Sequence, residues 1–299
     1  MPDGQKRALA TALDPAFGFR HLNPMPARTD VHAFFAEEYY VLIADGRKAA
    51  DIARALHGGA AAERQRQWLR ATLHADIAET IATHAHGRRV LEIGCGLGDL
   101  LLDLQAKGFT GEGIEISPIA ADEARKRGVA VHQGAFEDLA DAALKNERFD
   151  AILFINVLEQ MHDAPAVLTR AAALLAPGGI VIVRSGNDFN PLQLALRDQM
   201  DKPEYWVVED HVYYFDYGSI GRVMEAAGLR VVDQQSDFPM ELFPLLGFDY
   251  VAQPEIGGDC HARRMQFEEN LPQATRRALY RAFAAAGMGR CVFVVGRKV

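Results

Sequence analysis

Three glycines at alternate positions, Gly94, Gly96 and Gly98, close the apolar run Val90-Leu91-Glu92-Ile93 and are followed by a helical pattern. Glycine at such a turn lets the backbone bend sharply and lets a ligand lie against the main chain with no Cβ in between. That is the chemistry of nucleotide binding. The spacing departs from the dinucleotide fingerprint G-x-G-x-x-G, because its last position is filled here by Asp99. A carboxylate there opposes a pyrophosphate at a helix N-terminus, which tilts the turn toward a ligand without phosphates. Glu115, in Gly113-Ile114-Glu115-Ile116-Ser117, follows the turn by about twenty residues, the spacing of a ribose-binding acid. A carboxylate at that place can accept hydrogen bonds from both ribose hydroxyls. A lone surface Glu at a strand end is the bland alternative, and the spacing argues against it.

The turn and Glu115 need strands behind them. From residue 88, short β-branched runs alternate with helical segments, the pattern of a parallel sheet covered on both faces. Strands are expected at 90–93, 111–116, 130–132, 151–155 and 180–183. The helices between them are expected at 99–107, 118–127 and 164–175, the last ended by Pro177-Gly178-Gly179. A mixed stretch, 187–217, precedes a helix to 227 and a strand at 229–233, and the chain closes on a strand at 292–295. Ahead of this core the chain opens as an irregular arm, punctuated by Pro24 and Pro26, and continues into two helical stretches, 31–56 and 60–84. Residues 238–289 are too many for an ordinary loop and should contain helices of their own. The expected organisation is an arm and helical cap over 1–86, a core over 87–237 and 290–299, and a helical insertion or lid over 238–289.

With these elements in place, the chain from about residue 88 to 186 resembles the class I, Rossmann-like S-adenosylmethionine-dependent methyltransferases, in the small-molecule branch that includes ubiquinone-pathway and saccharide or natural-product enzymes. The glycine turn is similar to that family's first motif and the Glu115 segment to its second. Gly134-Ala135-Phe136-Glu137-Asp138-Leu139 resembles the stretch that brackets the adenine, although the family often has Asp where this chain has Ala135. Phe149-Asp150-Ala151-Ile152 through Asn156-Val157-Leu158-Glu159-Gln160 resembles the fourth strand and its loop, with Gln160 where ubiquinone-pathway members often have His. Leu174-Leu175-Ala176-Pro177-Gly178-Gly179 matches the turn before the fifth strand. The resemblance implies an α/β fold with a seven-stranded, mostly parallel sheet, helices on both faces and one antiparallel strand, here the last. It implies S-adenosylmethionine as cofactor, bound by Glu92, Gly94, Gly96, Gly98, Glu115, Ile116, Ala135, Phe136, Asn156 and Val157. Gly94, Gly96 and Asn156 would face the methionine part, Glu115 the ribose, and Ala135 and Phe136 the adenine.

A sulfonium is already a good leaving group, so such an enzyme mainly places a nucleophile in line with the methyl carbon and excludes water. A hydroxyl acceptor also gains from a nearby base. Of the ten histidines, His211 is the first candidate, because the segment after the fifth strand contributes substrate-facing residues in related enzymes and a similar His-x-x-x-Phe stretch recurs there. A histidine that buttresses the next helix explains it equally well. His162 is the second candidate, against a plain loop position. Asn187 and Asp188, with Asn190, follow the fifth strand and are placed to bond a polar acceptor, or simply to make a turn. Tyr39 and Tyr40 reach over the cofactor from the cap or pack beneath it. His84 and His86 have metal-like spacing but no acidic or cysteine partners, so no metal is expected.

The net charge of −8 argues against a nucleic-acid face. Cys95, Cys260 and Cys291 form no CxxC pair or even-numbered framework, which suits a reducing cytoplasm. The opening lacks the apolar segment of a secretory signal, and no apolar run approaches spanning length, so neither export nor a membrane is expected. The apolar cluster Phe238-Pro239-Met240-Glu241-Leu242-Phe243 is explained by packing of a lid or by a homodimer contact. The favoured reading is methyl transfer to a hydroxyl of a small molecule or saccharide precursor, with nitrogen or carbon as alternative acceptors. The competing classes are an NAD-dependent oxidoreductase, disfavoured by Asp99, and a non-catalytic cofactor-binding partner protein.

Overall fold

A computed structural model describes residues 9–45, 58–140, 144 and 147–299. The first eight residues of the arm and the later part of the helix expected at 31–56 lie outside them. Ten strands occur among the described residues: β1 (Thr11–Leu13), β2 (Arg20–Leu22), β3 (Arg89–Ile93), β4 (Thr110–Glu115), β5 (Ala130–Gln133), β6 (Phe149–Ile155), β7 (Leu175–Gly186), β8 (Tyr213–Tyr214), β9 (Leu229–Gln235) and β10 (Cys291–Lys298). Seven form one sheet in the order β5-β4-β3-β6-β7-β10-β9. The pairs among β5, β4, β3, β6 and β7 are parallel, and β10 is antiparallel to both its neighbours. The α/β, mostly parallel sheet expected above is therefore present.

Side-chain alternation explains why this sheet is covered on both faces. Leu91, Ile93, Ile152, Phe154, Val181, Val183, Val292 and Val294 point into one core, beneath the helices Ala164–Leu174 and Tyr217–Ala226. Val90, Ala151, Leu153, Ile180, Ile182, Phe293 and Val295 point into the other, with Ile77 and Ile81 of the helix Leu73–His84 and Leu100 and Leu104 of the helix Asp99–Ala106. The helix starts are set locally. Asp216 and Ser219 form a reciprocal cap on Tyr217–Ala226, and Asp163 accepts from the Ala166 N–H at the start of Ala164–Leu174.

Four local expectations are corrected. The arm is not wholly irregular: β1, β2 and β8 form a three-stranded sheet, and Phe19 packs edge-on against Tyr213 and Phe215. The stretch expected as one helix over 60–84 is two, Ala60–Ala71 and Leu73–His84, broken at Thr72, whose hydroxyl donates to the Trp68 carbonyl at 2.7 Å. The first cap helix is interrupted by a π-helical turn, Phe34–Glu38, between Arg28–Ala33 and Tyr39–Ala44. Pro177-Gly178-Gly179 does not separate helix from strand. The helix ends at Leu174, and β7 begins at Leu175 and runs through the Pro-Gly-Gly, its register on β6 jumping from Phe149↔Leu175 to Ala151↔Ile180.

Residues 238–289 hold the helices Leu242–Leu245, Gly257–Glu269 and Gln273–Ala285, with a short 3₁₀ turn at Pro254–Ile256. No helix among the described residues is long and apolar enough to cross a membrane. The strand order runs outward from β3 through β4 on one side and through β6 on the other. A crevice therefore opens beyond the C-terminal ends of β3, β4 and β6, where ligands bind in such sheets.

Candidate functional site

At the end of β3 the N–H groups of Gly94 and Cys95 both donate to the Ile114 carbonyl on β4, at 2.8 and 3.0 Å, and the chain folds back on itself. Gly94 and Gly96 adopt φ of +68° and +53°. A Cβ at Gly94 would lie 2.7 Å from Val157 Cγ2, and one at Gly96 2.9 Å from the Tyr40 hydroxyl. Both glycines line a cavity of about 840 Å³, so one wall is bare backbone. Glu115 fixes that wall: Oε2 accepts from the Gly96 N–H and Oε1 from the Ser117 N–H, both at 2.8 Å. Burial raises the Glu115 carboxyl above its ordinary range, against the pull of these backbone donors.

Glu92, Ile116, Ala135, Phe136, Asn156 and Val157 line the same cavity. Glu92 Oε2 is buried without a hydrogen-bond partner. Burial, then the charges of Asp99 and Glu115, push its carboxyl well above the usual range. Asn156 has φ of +54°, and its Oδ1 accepts from Arg184 at 2.5 Å. Asp99 is held by Arg127, also at 2.5 Å. Gly98 is the exception among the expected cofactor residues. It does not line the cavity, and a Cβ there would meet Val129 Cγ2 at 2.7 Å. The third glycine is therefore needed for helix-to-strand packing.

The residues expected to meet an acceptor divide. Tyr39, Tyr40, Asp188 and His211 line the cavity. Burial first, then Asp210, Glu159 and Glu115, push the Tyr39 hydroxyl up to about 12. His211 Nδ1 is buried without a partner. His162 is absent from the lining, which corrects its candidacy: it sits in the loop before the Asp163 cap. Asn187 is also corrected, since its side chain donates to the carbonyls of Gly287 and Gly289 at 3.0 and 2.9 Å and ties β7 to the approach to β10. Asn190 caps the helix Pro191–Met200.

Several lining residues carried no signal in the sequence pattern. Arg184 on β7 donates to Asn156 and to Asp237, and Arg264 of the insertion also reaches Asp237, at 3.3 Å. Gln193, Tyr205 and Trp206 come from the stretch of mixed signals. Glu241, read as part of an apolar packing cluster, is 2% exposed and lines the cavity. A carboxylate set among Phe, Pro, Met and Leu was the available clue, because an acid in a packed segment needs a reason to be there.

A family model described as a methyltransferase domain matches residues 61–234, more than half of the chain. The chain belongs to this methyltransferase family. Its motifs and sheet are those of the class I, S-adenosylmethionine-dependent type, and the dinucleotide oxidoreductase alternative is set aside. A ubiquinone biosynthesis O-methyltransferase of Azorhizobium caulinodans is 39% identical over 107 residues, covering 34% of this chain and 41% of that protein. One from Dinoroseobacter shibae is 32% identical over 162 residues, covering 50% of this chain and 62% of that protein. The chain thus spans less than two thirds of the length of these relatives. Among solved structures, a SAM-dependent methyltransferase of Archaeoglobus fulgidus superposes with a TM-score of 0.54 at 14% identity, over 87% of this chain and 100% of that one, a likeness of fold.

Proposed function

We propose that the chain transfers a methyl group from S-adenosylmethionine to an oxygen of a small-molecule acceptor. The observation that carries this reading is the continuity of one cavity from the glycine turn, Glu115 and Phe136 to His211. The names of the O-methyltransferase relatives support oxygen as the acceptor atom.

The residues suit the cofactor. The wall at Gly94 and Gly96 is one that a single Cβ would fill, and the buried Glu115 carboxylate keeps lone pairs beyond its two backbone donors. Glu92 Oε2 is a further buried acceptor without a partner. When bound, S-adenosylmethionine supplies an electrophilic methyl carbon on a sulfonium. Gly94 and Gly96 would then admit its methionine part, Glu115 would orient the ribose, and Ala135 and Phe136 would border the adenine. Tyr39 and Tyr40 cover the turn from the cap and keep water out.

His211 is the base this reading favours. Its Nδ1 is buried, faces no protein donor or acceptor, and belongs to the cavity lining. Asp188 is the worse choice. Burial, then the charges of Glu159 and Glu241, push its carboxyl well above the usual range and disfavour its ionised form.

Calorimetric titration with S-adenosylmethionine and S-adenosylhomocysteine tests the reading: both should bind, and Glu115→Ala combined with Gly96→Val should abolish binding. Absence of binding by the unaltered protein rejects it. With an acceptor found by transfer of a labelled methyl group, His211→Ala should retain cofactor affinity and lose about 10²- to 10⁴-fold in turnover. Unchanged turnover rejects His211 as the base.

A further inference from the structure

Three of the buried carboxylates that line the cavity have an arginine partner. Asp237 lies between Arg184 and Arg264, Glu268 accepts from Arg264, and Asp76 from Arg276. Three others have none. Glu159, Asp188 and Glu241 are 2%, 8% and 2% exposed, and each keeps one oxygen, Oε2, Oδ2 and Oε2, without any hydrogen-bond partner. They come from three separate places: the turn after β6, the end of β7 and the start of the insertion. All three line the same cavity. The nearby cation, Arg290, is exposed and acts on Asp188 and Glu241 without a hydrogen bond to either. Buried charges are ordinarily paired, and unpaired ones in a native fold call for an explanation.

The remaining walls point to what is missing. Gln193 donates to Glu241 Oε1 at 3.3 Å and leaves its own carbonyl oxygen, buried, without a donor. Trp206, 6% exposed, lines the cavity with an indole N–H that has no partner. Its ring meets Tyr205 with centroids 5.3 Å apart, and Tyr205 meets Tyr250 at 6.4 Å. Four acceptor oxygens without donors, set beside an aromatic wall, match a ligand group that brings several donors and a positive charge. Neutral hydroxyls would supply donors but leave three buried carboxylates without a counter-ion in a site of low dielectric.

We infer that this chamber recognises a protonated amine on the acceptor, with Glu159, Asp188 and Glu241 as its counter-ions and Trp206, Tyr205 and Tyr250 against its carbon skeleton. The inference rests on the methyltransferase reading for the chamber's place next to the cofactor. The ammonium is the handle by which the acceptor is held, and it delivers positive charge to a site where burial and like charges disfavour the ionised form of Asp188. Binding of the cation should therefore release a proton.

The test uses the protein saturated with S-adenosylhomocysteine and three probes with one ring and three charges: tyramine, tyrosol and 4-hydroxyphenylacetate. Calorimetry in two buffers of unequal ionisation heat reads affinity and proton release together. Tyramine should bind about tenfold or more tightly than tyrosol, with net proton release, and the anion should bind weakest. Glu241→Gln and Asp188→Asn should bring tyramine close to the affinity of tyrosol while S-adenosylhomocysteine affinity, which reports folding, is kept. Equal or reversed affinities, or no tyramine binding up to about 10 mM, overturn the inference. Failure of S-adenosylhomocysteine to bind in the first step rejects the methyltransferase reading instead, so the two failures are told apart.

Discussion

Gly98 separates what a motif suggests from what the structure requires, and a substitution there gives a measurable difference. Its φ of +78° and ψ of +14° make it a left-handed cap on the helix Asp99–Ala106. A methyl group at that position would lie 2.7 Å from Val129 Cγ2 and 3.4 Å from Ala124 Cβ, both in residues that are buried. In Gly98→Ala the left-handed backbone costs about 1 to 2 kcal/mol for a residue with a Cβ. Overpacking against Val129 adds about 1 to 3 kcal/mol, for an expected loss of about 2 to 5 kcal/mol in urea unfolding. Because the added methyl points into packing and away from the cavity, S-adenosylhomocysteine affinity should stay within about threefold. Val129→Ala in the same chain removes Cγ2, and a double-mutant cycle should return about 1 to 3 kcal/mol of favourable coupling, leaving the backbone part of the loss. Gly96→Ala should do the opposite, lowering affinity more than stability, because its methyl would meet the Tyr40 hydroxyl at the cavity wall. A Gly98→Ala protein of normal stability that binds cofactor poorly would refute this division of the three glycines.

Three further outcomes follow from the same geometry. Glu115→Gln puts an amide N–H against one of two backbone donors and should weaken S-adenosylhomocysteine binding about 10- to 100-fold by calorimetry, a loss that an acid with no ligand role would not produce. Asn187→Ala removes two bonds to the Gly287 and Gly289 carbonyls and should cost about 1 to 3 kcal/mol of stability without loss of cofactor binding, and an unchanged unfolding midpoint would return Asn187 to the acceptor site. Burial pushes the Asp237 carboxyl up, but the guanidinium groups of Arg184 and Arg264 outweigh it and hold the carboxyl below the ordinary range. A carboxyl lowered by folding contributes stability above its unfolded pKa and loses it as pH falls through the folded value. The stability gap between the native chain and Asp237→Asn should accordingly be widest near neutral pH and shrink below about pH 4, as followed by urea unfolding across that range.

The parts of the molecule legible in the sequence are those fixed by local chemistry. The glycine turn, Glu115 and the strands behind them show in short β-branched runs and in the spacing of a few residues. Pairings between distant segments leave no such trace. The three-residue strand β2, itself paired with β1, meets Tyr213–Tyr214 from nearly two hundred positions away, and nothing in Thr-Ala-Leu or Arg-His-Leu announces it. Pro177-Gly178-Gly179 misleads for a related reason: it has the composition of a terminator, yet the parallel partner β6 resumes its pairing at Ile180 and keeps the segment in the sheet. The acceptor end was the least legible. Gln193, Trp206 and Glu241 acquire meaning only because packing places them around one space, and each alone has an ordinary explanation as helix surface or core.

Arg184 shows how the two ends of that space are held in register. It leaves β7 fully within the core, donates to Asn156 at the cofactor end and to Asp237 at the entrance to the insertion. Asp237 passes the contact to Arg264, Arg264 to Glu268, and Glu268 accepts from the Trp68 indole and the Tyr280 hydroxyl. Loop, strand, insertion and cap are thus joined by one chain of charged hydrogen bonds. Buried ionic networks of this kind add little net stability over a well-packed apolar core, since the cost of desolvating each charge offsets most of the attraction. What they restrict is geometry, because any displacement that unpairs one member leaves a charge uncompensated in low dielectric. Asn156 sits in a left-handed conformation that such a network can hold against its strain. Residues 238–289 are therefore tied through Asp237 and Arg184 to Asn156 as well as lining the cavity themselves.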